Sequence, residues 1–155
     1  MSAPPKRALG IDLGSKRIGV ALADSAGTVA TPYEVVPRSG DRARDHRRIA
    51  ELAEEAGVEQ LVVGLPLSLD GSVGPAAQAA LDEVDEIALA TGLPVETWDE
   101  RFTTVTADRD LLAMNMKAPA RRRVVDKVAA AVMLQAWLDH RRPSAPHPAP
   151  EERSR

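Results

Sequence analysis

Apolar residues alternate on both sides of a glycine–serine pair near the start of the chain. Residues 8–13 and 17–22 are two apolar runs, and the turn between them contains Gly14 and Ser15. Short apolar runs joined through glycine are typical of a β-hairpin, and a glycine in such a turn often takes a positive φ. The pattern therefore predicts a hairpin that turns at Gly14, with Asp12 near the end of its buried first strand.

The following segments predict a third strand and a first helix. Residues 28–36 favour extended structure, and Pro32 indicates an edge strand, so the first three strands should form an antiparallel meander. Residues 41–56 place apolar side chains at helical spacing and end at Gly57, as helices commonly do. We expect His46 to be solvated because three arginines lie close to it in the sequence.

The rest of the chain alternates strands and helices. The predicted elements are a buried strand at 60–64, a loop at 65–72, a helix at 75–91, a strand at 93–98, a helix at 105–114 capped by Thr103 or Thr104, and a last, largely apolar helix at 124–140. Strands joined by helical crossovers run parallel. The fold class is therefore α/β, with a mixed five-stranded sheet in which strands 1–3 are antiparallel and strands 4 and 5 are parallel, flanked by helices.

Length and composition limit the organisation of the chain. Its 155 residues suffice for one domain with a proper core, which we expect over residues 1–142. Residues 143–155 contain four prolines and no large apolar residue, which predicts a disordered tail. No apolar run has the length of a membrane span and the first residues lack a signal-peptide pattern, so we expect a cytoplasmic protein without a membrane partner.

Residue usage also restricts the possible chemistry. The chain has no cysteine, and its three histidines are scattered, so any bound metal must be held mainly by oxygen atoms. The net charge of −3 means that contact with nucleic acid would require a local basic patch.

Asp12 is a candidate functional residue with two interpretations. A short acid before a glycine–serine pair can simply accept hydrogen bonds from its own turn. An acid among Leu9, Ile11 and Leu13 is also costly to ionise without a nearby cation or donor, which makes it a candidate metal ligand.

Two further acids are expected near Asp12. Glu100 follows a predicted strand, and Asp126 lies near the start of the last helix. Ligands in open α/β sheets gather at the carboxyl ends of the strands, and a cluster of carboxylates without nitrogen ligands suits Mg²⁺ or Mn²⁺. Taken singly, Glu100 can instead pair with Arg101 at the surface, and Asp126 can favour a helix N-terminus through the helix dipole.

Basic residues cluster in two places that favour phosphate. Lys16 and Arg17 lie on the first turn, and the second group, around the start of the last helix, consists of Lys117, Arg121, Arg122, Arg123 and Lys127. Such clusters indicate a polyanionic substrate, although a solvated helix entry remains the alternative for the three arginines. Aromatic residues make up only 3% of the chain, so contact through the backbone and shape of a nucleic acid is favoured over base stacking.

Four ordered motifs resemble those of one protein family. They are the segment from Gly10 to Ala21, the Val63-Gly64-Leu65-Pro66 segment with Asp70-Gly71, the Asp99-Glu100-Arg101-Phe102-Thr103-Thr104 segment, and Asp126-Lys127-Val128-Ala129-Ala130. Together they resemble the YqgF family of small bacterial proteins, described as pre-16S rRNA nucleases or Holliday-junction resolvases. Many members have leucine where this chain has Phe102.

The resemblance implies a ribonuclease-H-like fold and a two-metal nuclease site. It maps onto Asp12, Glu100 and Asp126 as catalytic residues and ligands of two Mg²⁺ or Mn²⁺ ions, which activate a water and stabilise the leaving oxygen. Arg101 or Lys127 can stabilise the phosphate or hold a carboxylate in place. The favoured reaction is processing of the 5′ end of pre-16S rRNA, with ribosomal precursor particles as partners; resolution of a four-way DNA junction by a homodimer, rather than action as a monomer, is the alternative.

Two other functional classes compete with the nuclease. The Ile-Asp-Leu-Gly-Ser segment also resembles the phosphate loop of actin-like kinases and chaperone ATPases, but those proteins close two such domains over a nucleotide, and this chain has room for one. A ribosome-assembly factor that binds RNA without cleaving it is the third class. The presence of all three acids favours the nuclease over it.

Overall fold

The computed structural model describes residues 7–103 and 118–141. In chain order its elements are β1 (Ala8–Leu13), β2 (Arg17–Ala23), β3 (Ala30–Pro37), α1 (Arg42–Ala56), β4 (Gln60–Leu65), α2 (Pro75–Thr91), β5 (Val95–Asp99), a short 3-10 helix (Glu100–Phe102) and α3 (Ala118–Arg141). The predicted helix at 105–114 and the predicted tail at 143–155 lie outside the described residues.

The five strands form one mixed sheet in the order β3-β2-β1-β4-β5. β1 pairs with β2, and β2 with β3, in antiparallel fashion, whereas β4 runs parallel to both β1 and β5. This confirms the predicted topology and the position of Pro32 on an edge strand. The carboxyl ends of β1, β4 and β5 therefore lie along the same edge of the sheet.

The two faces of the sheet are covered by different helices. Leu9 and Ile11 of β1 point into an apolar cluster with α1 and α2, whereas Ala8 points into a second cluster with Met133, Leu134 and Trp137 of α3. The α3 helix packs closely because Gly10 has no side chain: a Cβ there would lie 2.8 Å from the Cβ of Leu134. Within the described ranges, no helix combines the length and apolar character needed to cross a membrane.

Most element boundaries agree with the sequence pattern, and the differences have local causes. Strand β3 begins at Ala30 rather than Thr28 because the Asp24 carboxylate accepts hydrogen bonds from the backbone N–H groups of Thr28 and Val29. The last helix begins at Ala118 rather than at residue 124, with Pro119 in its first turn, where a missing N–H is tolerated. The arginine run therefore belongs to the first turns of α3.

The prediction for His46 was wrong, because its side chain is buried with only 2% exposure. Its Nε2 lies 2.7 Å from Oε2 of Glu83, and the Arg38 guanidinium bonds both oxygens of Glu83 at 2.9 and 3.0 Å. The helical spacing of His46, Ile49 and Ala53 places all three on the inner face of α1. The charged residues next to His46 in the sequence suggested an exposed position, but the helical period places His46 on the buried face of α1.

The prediction of a positive φ at Gly14 was also wrong, since the residues with positive φ in the described part of the chain are other glycines. Gly14 is required by a close approach instead, because a Cβ at this position would lie 2.5 Å from the carbonyl oxygen of Arg17. The Gly14 N–H donates to that same carbonyl at 3.1 Å. The turn is thus closed tightly, two residues after Asp12.

Candidate active site at the carboxyl edge of the sheet

Asp12 lies near the end of β1 and is 9% exposed. Side chains alternate along a strand, so Asp12 shares the face of Ala8, which is covered by α3. Its register partner on β2 is Gly19. On β4, Gly64 comes one residue after Val63, the partner of Ile11. Asp12 therefore has a glycine beside it on both neighbouring strands.

Gly19 allows the backbone of α3 to approach β2 beside Asp12. A Cβ built on Gly19 would overlap the carbonyl oxygen of Asp126. Any side chain at this position would push the helix away from the sheet. The glycine therefore sets Asp126 next to the strand that neighbours Asp12.

Gly64 makes the corresponding space on the other side. A Cβ at Gly64 would lie 2.5 Å from Oε2 of Glu100, so the Glu100 side chain occupies the volume that a side chain of β4 would fill. Glycine inside a strand often marks such a close approach. The structure thus brings Asp12, Glu100 and Asp126 to one face and one edge of the sheet.

Asp126 makes an ion pair with Arg17, the first residue of β2. Nε of Arg17 donates to Oδ2 of Asp126 at 2.6 Å, and the two side chains are 25% and 17% exposed. Among residues 7–103 and 118–141, no three acidic or histidine side chains are close enough together to hold a metal ion. The carboxylate of Asp126 is turned to the Arg17 guanidinium in this structure.

Arg101 pairs with Asp99. The alternative interpretation, a surface ion pair between Arg101 and Glu100, is therefore wrong. Its guanidinium bonds both carboxylate oxygens of Asp99, and its backbone N–H donates to Oδ1 at 2.9 Å. The hydrogen bonds from Arg101 hold the pKa of Asp99 below its usual value, and the bond to Asp99 raises the pKa of Arg101. This cap of the 3-10 helix leaves the Glu100 side chain over Gly64.

Arg101 also fixes the loop between β4 and α2. Its Nη1 donates to the carbonyl oxygen of Leu69 at 3.3 Å, and Gly71, with a φ of 89°, would place a Cβ 3.1 Å from the same nitrogen. Within the loop, Asp70 accepts hydrogen bonds from the hydroxyl and N–H of Ser72, which lower the pKa of Asp70. In this structure Arg101 is a positioning residue that joins the loop to the segment carrying Glu100.

The other predicted phosphate ligands lie on the β1–β2 turn and on α3. Lys16 is exposed on the turn and lines an open cavity of about 530 Å³ together with Arg38 and Arg42. Arg121, Arg122, Arg123 and Lys127 belong to α3, but their side chains are outside the described part of the structure. Their contact with phosphate stays a prediction.

Gly19, Gly64 and Arg38, which shape the site but do not take part in the proposed reaction, were not identified from the sequence. Gly19 and Gly64 carried one usable signal, a glycine inside an apolar strand. Arg38 carried none: its Nε donates to the carbonyl oxygen of Gly14 at 2.8 Å, and its guanidinium donates to Glu83 of α2, which is also bonded to His46. This contact braces the turn after Asp12.

Comparisons with known proteins found a matching family and named relatives. The family described as "RuvX: Holliday junction resolvase" matches residues 6–140. A protein of Desulforudis audaxviator named "Putative pre-16S rRNA nuclease" is 41% identical over 136 residues, covering 88% of this chain and 96% of that protein. A protein of Myxococcus xanthus with the same name is 45% identical over 137 residues, covering 88% and 90%.

Solved structures support the fold. RuvC of T. thermophilus in complex with a Holliday junction substrate aligns with a TM-score of 0.56 and 19% identity, covering 88% of this chain and 96% of that one. This likeness shows a RuvC-like, ribonuclease-H-like fold, as the motif resemblance implied. The match over residues 6–140 and the identities above 40% show the family of the chain as well as its fold. The chain belongs to the RuvX (YqgF) family.

Proposed function

We propose that this chain is a metal-dependent nuclease that hydrolyses phosphodiester bonds of structured nucleic acid, with the 5′ end of pre-16S rRNA as its substrate. The observation that carries the proposal is the placement of Asp12, Glu100 and Asp126 on one face of the sheet edge, with glycines on both sides of Asp12. The family and the names of the relatives support the nuclease.

The donor set fits Mg²⁺ or Mn²⁺. The three carboxylates supply the oxygen ligands that these ions prefer, and the missing side chains of Gly19 and Gly64 let Asp126 and Glu100 approach the strands beside Asp12. Two bound ions would activate a water and stabilise charge on the leaving oxygen. For Asp126 to serve as a ligand through Oδ2, it must release the hydrogen bond from Arg17.

The remaining residues orient the acids and the substrate. Asp12 is held by the paired strand β1, and Glu100 by the 3-10 helix that Asp99 caps. Arg17 would contact phosphate beside Asp126, and Lys16 would contact it from the β1–β2 turn, where it lines the cavity with Arg38 and Arg42. Arg121, Arg122, Arg123 and Lys127 would extend this contact along the start of α3, since basic residues near the site favour a polyanion.

The test offers one purified preparation two substrates, a precursor RNA with the 5′ end of 16S rRNA and a four-way DNA junction, with Mg²⁺, with Mn²⁺ or with chelator. We expect cleavage of the RNA that depends on the metal and stops with chelator. Because the family description names a Holliday junction resolvase, junction DNA is the second candidate substrate. Faster cleavage of the junction than of the RNA would show that DNA is the substrate. Binding of RNA without cleavage of either substrate would favour the assembly factor.

Partners follow from the substrate. If pre-16S rRNA is the substrate, we propose that the chain meets it in ribosomal precursor particles in the cytoplasm and acts as a monomer. Symmetric cleavage of a DNA junction would instead require a homodimer, because two equivalent strands must be cut. Sedimentation with each substrate distinguishes these two assemblies.

A further inference from the structure

Phe102 is exposed beside the proposed site, although it is a large apolar residue. All four Phe, Trp and Tyr residues of the chain lie in the described ranges, and Phe102 is 67% exposed, whereas the other three are buried or half-buried. It comes two residues after Glu100, in the 3-10 helix that Asp99 caps. Leu69, on the loop that Arg101 holds, is 96% exposed. Exposed apolar side chains grouped in this way often mark a binding surface.

The Phe102 ring is held by its neighbours. Trp98 contacts it edge-on, with the ring centroids 6.0 Å apart and an angle of 65° between the planes. Trp98 contacts the His140 ring of α3 in the same manner, at 5.4 Å and 62°. Such edge-to-face contacts are favourable, and the Arg101 guanidinium carbon lies 5.7 Å from the centroid of Phe102. Trp98, Phe102 and His140 thus form an aromatic row in which the Phe102 ring is oriented and still open to solvent.

The aromatic row continues the line of the proposed catalytic acids across the sheet. Trp98 is the register partner of Gly64 on β4, and the Glu100 carboxylate lies over Gly64. Trp98 packs against the α3 cluster, so it faces the same side of the sheet as Asp12. Strands are about 4.8 Å apart, so β5 lies roughly 10 Å from β1. A nucleic acid with one phosphate over the acids would therefore bring an adjoining nucleotide to the row.

An unpaired nucleobase matches the chemistry of this surface. Every base has a π-face that can stack on an aromatic ring, so the contact tolerates any sequence. In a duplex both faces are covered by neighbouring base pairs, and only an unpaired nucleotide offers one. A protein partner would need far more apolar area than Phe102 and Leu69 supply. The low aromatic content disfavours stacking along the whole chain, but one exposed ring can hold one base.

We propose that Phe102 stacks on the unpaired base of a nucleotide adjoining the cleaved bond, and that it thereby selects nucleic acids with a single-stranded segment at that position. The inference rests on the proposed function for the position of the bond, whereas the stacking itself needs no metal ion. Phe102 is then a specificity-determining residue, and Trp98 and Arg101 hold its ring in place.

The first experiment measures the Kd of a hairpin RNA with a single-stranded 5′ flank, by filter binding of the full chain in chelator. Phe102→Ala should raise this Kd about 5- to 150-fold, the range that corresponds to the loss of one base stacked on one ring. Phe102→Trp should bind as the parent does, and Phe102→Leu, which is apolar without a π-face, should lie between the two. The matched control is Leu89→Ala on α2, which removes an 86% exposed apolar side chain on the other face of the sheet and should leave the Kd unchanged.

The second experiment locates the base. The flank carries an abasic nucleotide at one position at a time, and each RNA is titrated with the parent and with Phe102→Ala. One abasic position should weaken binding of the parent as much as Phe102→Ala does, and the two changes together should cost no more than either alone. A duplex without unpaired nucleotides should bind the parent and Phe102→Ala alike. The abasic series of the parent needs no variant, so it tests the inference independently of any effect of Phe102→Ala on folding.

Cleavage separates the inference from the proposed function. With Mn²⁺, Phe102→Ala should lower kcat/KM for the hairpin RNA mainly through KM, because the ring binds the substrate and the transition state alike. If the parent cleaves and Phe102→Ala matches it in Kd and KM, the inference is wrong and the nuclease stands. If the parent cleaves no substrate but one abasic position is coupled to Phe102, the nuclease is wrong and the stacking contact stands. A loss in Phe102→Ala that is the same for every abasic RNA would also overturn the inference, because the ring would then act without a particular base.

Discussion

Two glycines decide how closely other residues can approach Asp12. The missing side chain of Gly64 admits a flexible carboxylate, that of Glu100, whereas the missing side chain of Gly19 admits the backbone of α3 at Asp126. A flexible side-chain end can move at little cost, but a helix backbone in a packed layer cannot. The same substitution should therefore have different consequences at the two positions.

We expect Gly64→Ala to keep the fold and lose activity. Displacement of the Glu100 carboxylate should slow metal-dependent cleavage at least tenfold with little change in Tm.

Gly19→Ala should cost about 1–3 kcal/mol in the free energy of unfolding because the helix must shift. Urea denaturation and single-turnover cleavage check both variants. Gly74→Ala, where the nearest atom is the movable Ser68 hydroxyl at 3.3 Å, is the control. Parent activity in Gly64→Ala would contradict the role of Glu100.

The arginine run should determine affinity rather than chemistry. Changing Arg121, Arg122 or Arg123 to Ala leaves one phosphate without its cation, and each change should reduce the slope of log Kd against log salt by roughly 0.7–0.9. Binding should weaken alike for different sequences, since phosphate carries no sequence information. Filter binding over a salt series makes the measurement, with Arg48→Ala on α1 as the control. An unchanged slope would place the run away from the nucleic acid.

At the scale of elements, one buried network joins four parts of the fold. Glu83 of α2 is 5% exposed and accepts from Arg38, which follows β3, and from His46 of α1, while Arg38 also holds the carbonyl of Gly14 in the β1–β2 turn. Burial alone would raise the pKa of Glu83, but the hydrogen bonds from Arg38 and His46 outweigh burial and lower it. The ionised carboxylate accepts only, so His46 carries the proton on Nε2.

This network predicts how stability depends on pH. Because the pKa of Glu83 is lowered in the folded state, its contribution is complete above the unfolded value of about 4.3 and is lost as the pH falls through the folded pKa. Glu83→Gln should cost about 3–5 kcal/mol at pH 7, since it leaves buried partners uncompensated, and should lose less on acidification. Urea denaturation from pH 7 to pH 3 tests this. Glu86→Gln, in an exposed pair, should cost at most about 1 kcal/mol.

At the scale of the whole molecule, the topology of the sheet was predictable from the sequence, but the close packing of α3 on the sheet was not. Alternating apolar runs and helical crossovers indicated the strand topology, and the same logic brought Asp12, Glu100 and Asp126 to one edge. The partner of Asp126 could not be predicted, because Arg17 is 109 residues away and meets it only once α3 lies on β2. Burial of His46 was predictable from the helical period, which its charged neighbours concealed.

The last part of the chain should be dispensable. Residues 143–155 have four prolines and no large apolar residue, so their composition gives them no means of packing on a core. Deletion of this segment should leave Tm and cleavage rate nearly unchanged. A calorimetric scan and a cleavage assay of the shortened chain check this, and a large loss of either would show that the segment docks or contacts the substrate.

The central claim is that Asp12, Glu100 and Asp126 act together as the metal-binding acids of a nuclease, and one measurement tests it most directly. Single-turnover cleavage of precursor RNA is followed with Mn²⁺ for the parent, Asp12→Asn, Glu100→Gln and Asp126→Asn, with Glu96→Gln, an exposed acid of β5 that pairs with Arg141, as the matched control. We expect each of the three variants to fold and to lose metal-dependent cleavage, with no further loss when two are combined, because the residues act as one unit. Cleavage at the parent rate by all three variants would contradict the account.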